Sequence, residues 1–190
     1  VITIMTSDNN QEKEPKMEWY VMRDLHRGHS KVFAYEELAQ KGFRTYTPTI
    51  KKPKLDSKGK ATIVERPYLP DLFFVYGDRK SIESLIHSRS FFQFRFKYGV
   101  SPVSPIVVPD KAMEDFISAN KSSDETRFFL VSSIPKSARN CPIRIIGGPL
   151  NGLEGLLLRT RGTTRKQLVI ELPHFLAISV HVEDEYIELL

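Results

Sequence analysis

A single cysteine, Cys141, stands in the 190 residues. No internal disulfide can form within the chain, and no thiolate cluster can hold zinc or iron. No apolar run approaches the roughly 18 residues that a membrane-spanning helix needs. The opening Val1-Ile2-Thr3-Ile4-Met5 is too short for the apolar core of a signal peptide and lacks a basic start. These absences together make a cytoplasmic protein with no membrane partner the expectation. Catalytic signatures are lacking as well. No phosphate-cradling glycine loop runs into Lys-Ser or Lys-Thr, and there is no nucleophile elbow. His26, His29, His87, His174 and His181 are scattered without metal-ligand spacing. His26 and His29 are three apart but fall in an expected loop. The sequence therefore predicts no enzyme, no cofactor and no metal, and a protein that works by binding.

What is present is ordinary globular composition, 41% hydrophobic and 27% charged. The net charge of +5 is unevenly spread. Between Arg44 and Arg66 seven basic residues face two acidic ones, whereas the end of the chain carries Glu183, Asp184, Glu185 and Glu188. A polyanion would favour the N-terminal half. The plainer reading of the same lysines is a solvated hairpin tip.

Hydrophobic periodicity divides the chain into two folded parts. Residues 1–16 are polar and read as a disordered tail. A first part, 17–119, begins with a strand at Trp19-Tyr20-Val21-Met22. A helix from His29 to Gln40 follows, then a strand from Phe43 to Pro48. A Lys-rich hairpin comes next, turning at Asp56-Ser57-Lys58-Gly59 and returning as Ala61 to Arg66. Leu72 to Tyr76 is a strand, and Asp78 caps a helix from Arg79 to His87. Phe91 to Tyr98, with Phe92, Phe94, Phe96 and Tyr98 alternating with polar residues, reads as a half-buried strand. Pro109-Asp110 opens a helix with Met113, Phe116 and Ile117 on one side. Residues 120–139 read as a linker, in which Phe128 to Val131 is an apolar island and a candidate docking strand. From 140 to 190 only short strands appear, separated by turns at Gly162-Thr163-Thr164 and Pro173-His174. Five strands in about fifty residues suit an SH3-like β-barrel. Val169, Ile170, Ile178, Val180 and Val182 favour strands over a stable helical alternative.

Leu72, Phe73, Phe74, Val75 and Tyr76 are apolar on both sides of their strand, which calls for cover on both faces. In a split β-α-β arrangement the expected helices gather on one side. The other face needs the barrel, a protein partner, a helix placed elsewhere, or nothing beyond ordinary core packing. A large bare apolar face would mark an interaction site.

The densest local signal is Gly147-Gly148-Pro149-Leu150-Asn151-Gly152-Leu153-Glu154-Gly155, flanked by Ile143-Arg144-Ile145-Ile146 and Leu156-Leu157-Leu158. Glycines at the margins and middle permit a tight strand-loop-strand corner. This stretch resembles the KOW motif. Glu18-Trp19-Tyr20-Val21-Met22 and Arg66-Pro67-Tyr68-Leu69-Pro70-Asp71-Leu72-Phe73-Phe74-Val75 resemble the N-terminal domain of NusG-type transcription elongation factors. The two motifs in this order cover about Met17 to Leu190. In the compact hairpin, Ile106-Val107-Val108-Pro109 and the glycine corner, the chain resembles specialised paralogues, such as RfaH or the UpxY-type antiterminators of surface-polysaccharide operons, more than housekeeping NusG.

The resemblance implies an α+β fold: an N-terminal α/β sandwich with an antiparallel sheet and flanking helices, then the KOW barrel. It implies that one sheet face packs on the clamp helices of the largest RNA polymerase subunit and increases processivity. The contact positions fall on Val21, Arg23, Leu69, Leu72 and Phe74, bordered by Met113 and Phe116. Arg23 stands where RfaH carries an aromatic residue, and Leu72 where tyrosine is usual. A His-Thr-Thr contact of RfaH is replaced by Ile82-Glu83-Ser84 and does not carry over. Arg79, Lys80 and Arg89 are candidates for the non-template DNA strand, or else plain surface ion pairs, and Lys51, Lys52 and Lys54 are further nucleic-acid candidates. Trp19 and Tyr20 are either base-stacking platforms or core aromatics. A ribosomal protein or Rho is the partner implied for the barrel. A KOW-containing RNA-binding or ribosome-associated protein is the alternative function.

Overall fold

A computed structural model describes residues 15–26, 32–57, 59–89, 91–97, 99, 101–122, 126–134, 141–159, 165–172, 176–182 and 186–190. The tail before residue 15, His29, Lys58, Tyr98, the two C-terminal turns, and 123–125 and 135–139 of the expected linker lie outside these residues. The first part comprises β1 (Met17–Asp24), α1 (Ala34–Gln40), β2 (Arg44–Tyr46), β3 (Thr49–Leu55), β4 (Ala61–Pro67) and β5 (Leu72–Asp78). It continues through α2 (Arg79–Ser88), β6 (Phe92–Phe94), β7 (Val107–Val108) and α3 (Asp110–Ser122). The second part is β8 (Arg127–Leu130), a short 3-10 turn, β9 (Pro142–Ile145), β10 (Glu154–Arg159), β11 (Lys166–Leu172), β12 (Leu176–Val182) and β13 (Ile187–Leu189). The class is α+β, with antiparallel pairing at each ladder given above and below.

The first sheet has the order β2-β5-β1-β6, with β7 also paired to β1. Both faces of β5 are buried, as its uninterrupted apolar run requires. Phe73 and Val75 join Tyr20, Met22, Leu38 and Ile82 under α1 and α2. Leu72 and Phe74 join Trp19 and Val21 on the opposite face, under Met113 and Phe116 of α3. The helices thus divide between the two faces and do not gather on one.

Helix α2 starts where the sequence predicts, with the Asp78 carboxylate accepting from the Ser81 N–H at 2.9 Å. Helix α1 is shorter than the predicted element and has a borrowed cap. Asp24, buried at the end of β1, accepts from the Ala34 N–H at 2.8 Å. The same carboxylate accepts from the His26 N–H and from His26 Nδ1, both at 2.8 Å. Removing it leaves a helix-terminal donor and an imidazole without their acceptor in a nearly dry site. Asp24→Ala is therefore expected to lower stability by about 3 kcal/mol, read as a reduced urea midpoint. Asp24→Asn should recover part of that loss.

The predicted strand from Phe91 to Tyr98 is cut short. Only Phe92–Phe94 form β6, in register with β1 from Met22↔Phe94 to Asp24↔Phe92. Beyond the Arg95 N–H, which still donates to Val21 O, the edge of β1 is taken by the returning chain. The Val21 N–H donates to Ile106 O, and Trp19 and Tyr20 pair with Val108 and Val107. Phe96, displaced from the edge, is 42% exposed.

The second sheet runs β13-β9-β10-β11-β12-β8. Among the described residues no ladder joins β8 to β13, so the sheet is open where the sequence suggested a closed barrel. The apolar island is its edge strand: Phe128 pairs with Ile178 and Phe129 with Ala177. The expected linker is thus partly structured at both ends, since α3 runs to Ser122 and Ile134 is buried against Val169 and Ala177.

Ile143, Ile145, Leu157, Leu168, Ile170, Ile178 and Val180 form one contiguous core with Val21, Leu72, Phe74 and Phe116. Helix α3 lies between the two sheets, with Phe116 against Tyr46 (ring centroids 6.4 Å apart) on one side and Phe128 (6.0 Å) on the other. The Lys111 ammonium, paired with Asp115 at 2.6 Å, also reaches Gly152 O at 3.4 Å. Tyr68 stacks on Phe128 with centroids 4.8 Å apart.

Candidate binding surfaces

The antiparallel ladder places Val21 opposite Phe74 and Arg23 opposite Leu72. Opposed residues share a face, so the motif on β1 and the motif on β5 meet on one side of the sheet. Met113 and Phe116 come to that same side. All seven clamp candidates therefore lie near one another, but at different depths. Val21, Phe74, Met113 and Phe116 have no measurable exposure, and Leu72 has 2%. Leu69 is half-buried against the core edge. Arg23 alone is exposed, with its guanidinium 3.5 Å from the Asp71 carboxylate. Asp71 also binds Arg95 at 2.8 Å. The spare face inferred from the sequence is covered from within the chain, by α3 and the second sheet.

The nucleic-acid candidates separate into two groups. Arg79 pairs with Glu83 one helical turn on, at 2.6 Å. Arg89 lies 3.4 Å from Glu37 and over the ring of Phe91. Both thus take part in surface ion pairs, and Lys80 is exposed. Lys51, Lys52 and Lys54 lie elsewhere, on β3 of a two-stranded sheet formed with β4. Trp19 and Tyr20 are 1% and 3% exposed, which makes them core aromatics in this conformation. Trp19 instead receives the Arg44 guanidinium over its ring at 5.0 Å.

Sequence reasoning missed Tyr46 and Asn120. Asn120 Nδ2 donates to Tyr46 Oη at 2.7 Å, tying α3 to β2 across the covered face. Burial raises the Tyr46 phenol far above its ordinary value, partly opposed by the Asn120 bond. Burial also lifts Tyr20 and Tyr35 to about 12, helped in Tyr20 by the hydrogen bond and charge of Glu18 and in Tyr35 by Glu36. Each folded phenol is raised above an unfolded value near 10, so the stability it contributes is complete below about pH 10 and is lost as pH rises through its folded value, about 12 for Tyr20 and Tyr35. Ultraviolet titration should find these three tyrosines ionising late, together with alkaline unfolding. An unfolding transition finished below pH 10 would contradict this.

Among the described residues no group of three or more His, Cys, Asp or Glu side chains is placed to hold a metal. No described helix is long and apolar enough to cross a membrane. A groove of about 610 Å³ between α3 and the second sheet is lined by Lys111, Asp115, Glu154 and Glu171 among apolar residues. No model of a known protein family matches the chain, and a search of curated proteins finds no match.

Proposed function

We propose that the chain is a transcription elongation and antitermination factor of the NusG type, nearer to the RfaH and UpxY-type paralogues than to housekeeping NusG. It acts by binding the clamp helices of RNA polymerase and not by catalysis. The observation that carries the reading is the pairing of Val21 with Phe74 and of Arg23 with Leu72. Two motifs about fifty residues apart in sequence meet on one face, beside the helix that the resemblance implies. The glycine corner turning β9 into β10 supports the KOW reading of the second part. Non-template DNA, and a ribosomal protein or Rho at the second part, are further proposed partners.

On this reading the covered conformation cannot present Val21, Leu72 and Phe74 to a partner. Polymerase and the second sheet compete for one face, so binding shifts a population from covered to open. The test is co-purification of the full chain with core RNA polymerase. Phe128→Ala, which removes the ring stacked on Tyr68 and touching Phe116, should raise retention. Arg23→Glu, at an exposed position, should lower it about tenfold. Absence of retention by every form, with tight binding to RNA instead, would favour the RNA-binding alternative.

A further inference from the structure

Strands β3 and β4 form a sheet of their own, and register sorts their side chains. Lys51 opposes Glu65, Pro53 opposes Ile63, and Leu55 opposes Ala61. That face is apolar toward its tip, with Leu55 68% and Ile63 75% exposed. On the other face Ile50 opposes Arg66, Lys52 opposes Val64, and Lys54 opposes Thr62. It carries three cations and no acid, and all three cations are exposed.

The three charges are stepped along the ribbon. Arg66, Lys52 and Lys54 stand at successive same-face levels, each separated by two residues, or about 6.7 Å of strand rise. One strand of a duplex advances ~3.4 Å of axis per phosphate while winding around it, so neighbouring phosphates stand roughly twice that distance apart along the backbone and this spacing matches successive phosphates. A two-stranded ribbon is also an element that the major groove of DNA admits. Single-stranded nucleic acid is bound instead on stacked aromatic rings. Residues 49–67 contain no Phe, Tyr, Trp or His. Nor does the cationic face carry Asn or Gln, the side chains that read adenine.

From this arrangement we propose that the Lys52, Lys54 and Arg66 face of the hairpin is a docking surface for the phosphate backbone of duplex DNA, bound without regard to sequence. Lys51, with an equal charge but on the opposite face, takes no part. The inference stands apart from the polymerase reading. It concerns the free chain, and its failure would leave that reading untouched.

Fluorescence anisotropy of the full chain with a short duplex DNA of arbitrary sequence, across a salt series, tests it. Three phosphate contacts predict a slope of log K against log salt of about −2.7, hence about 40-fold weaker binding at 200 mM than at 50 mM salt. The triple variant K52Q/K54Q/R66Q should remove nearly all of that slope while thermal unfolding stays unchanged, since the side chains are exposed. Lys51→Gln and Ile63→Ser should leave the slope as it is. Equal loss of slope per charge in Lys51→Gln would overturn the assignment to one face. Tighter binding to the single strand of the same sequence, or no duplex binding, would overturn the proposal itself.

Discussion

Phe74→Asp unfolds the chain before it can report on any partner. Phe74 has no measurable exposure and sits 6.2 Å, centroid to centroid, from Tyr46. Truncating a buried phenylalanine alone costs about 3–5 kcal/mol. A carboxylate left in that space is unpaired and adds several more, or takes up a proton to avoid doing so. Total stabilities of about 5–15 kcal/mol leave little or nothing folded. Leu72→Asp, at 2% exposure, is expected to behave alike. Loss of near-ultraviolet dichroism and of a cooperative urea transition is the readout. The shared core adds a second expectation: the damage extends to hydrogen-exchange protection of β11 and β12, which belong to the second sheet. A folded Phe74→Asp variant with protected β11 would contradict the continuous core. For the same reason Arg23, exposed beside these residues, is the useful probe of partner binding.

Gly155→Val is expected to be nearly as damaging, for a different reason. A Cβ at Gly155 would stand 2.3 Å from the carbonyl oxygen of Val169 and 2.9 Å from a Leu168 methyl group. The obstacle is backbone in the neighbouring strand, which cannot rotate away as a side chain does. Separating β10 from β11 at that point breaks the ladder around Leu156↔Val169. Overpacking of this kind costs about 3 kcal/mol or more. Gly152, in the same corner, is the control. It has φ +81° and nothing within 4 Å of an added Cβ. Gly152→Ala should therefore cost only about 1 kcal/mol, through backbone conformation alone. Urea unfolding of the two variants side by side separates close approach from turn geometry. Equal losses would show that the tight contact with Val169 relaxes without consequence.

The sequence was most legible where one pattern had one structural solution. Asp78 followed by Ile82, Leu85 and Ile86 at helical spacing gave α2 almost to the residue. Val169 and Ile170, which favour strands, lie within β11. The continuous run Leu72 to Tyr76 correctly demanded cover on both faces, because each parity of a strand is apolar or it is not. What supplied that cover was not legible. Periodicity shows which side chains share a face, whereas the depth of Leu72 and Phe74 depends on cover from Met113 and Phe116, about forty positions away. Phe128 and Phe129 defeated assignment because both parities are apolar, one ring turned toward α3 and its neighbour toward Ile134's cluster. Phe96 misled for the opposite reason. Its alternation with Phe94 was regular, but β7 had already claimed the strand edge that it would have joined. In the candidate site, parity put Val21 with Arg23 and Leu72 with Phe74, the family resemblance brought the two pairs to one face, and the Tyr46–Asn120 bond left no trace in local pattern at all.

The ordering of Phe128 as part of β8 also fixes how far the second sheet is leashed. Helix α3 ends at Ser122 and β8 begins at Arg127, leaving four residues between them. Four or five fully extended peptide units reach about 15–18 Å. A sheet held on so short a tether faces the covered site at an effective concentration in the millimolar range or above. Any external ligand of that site competes with a neighbour that never diffuses away. Its apparent affinity therefore falls short of its intrinsic one by the fraction of time the tethered sheet spends elsewhere. Peeling β8 from β12 would lengthen the leash as far as Ile134, itself buried against Val169 and Ala177, so the grip of one edge strand sets how strongly the second sheet competes with any ligand of that face.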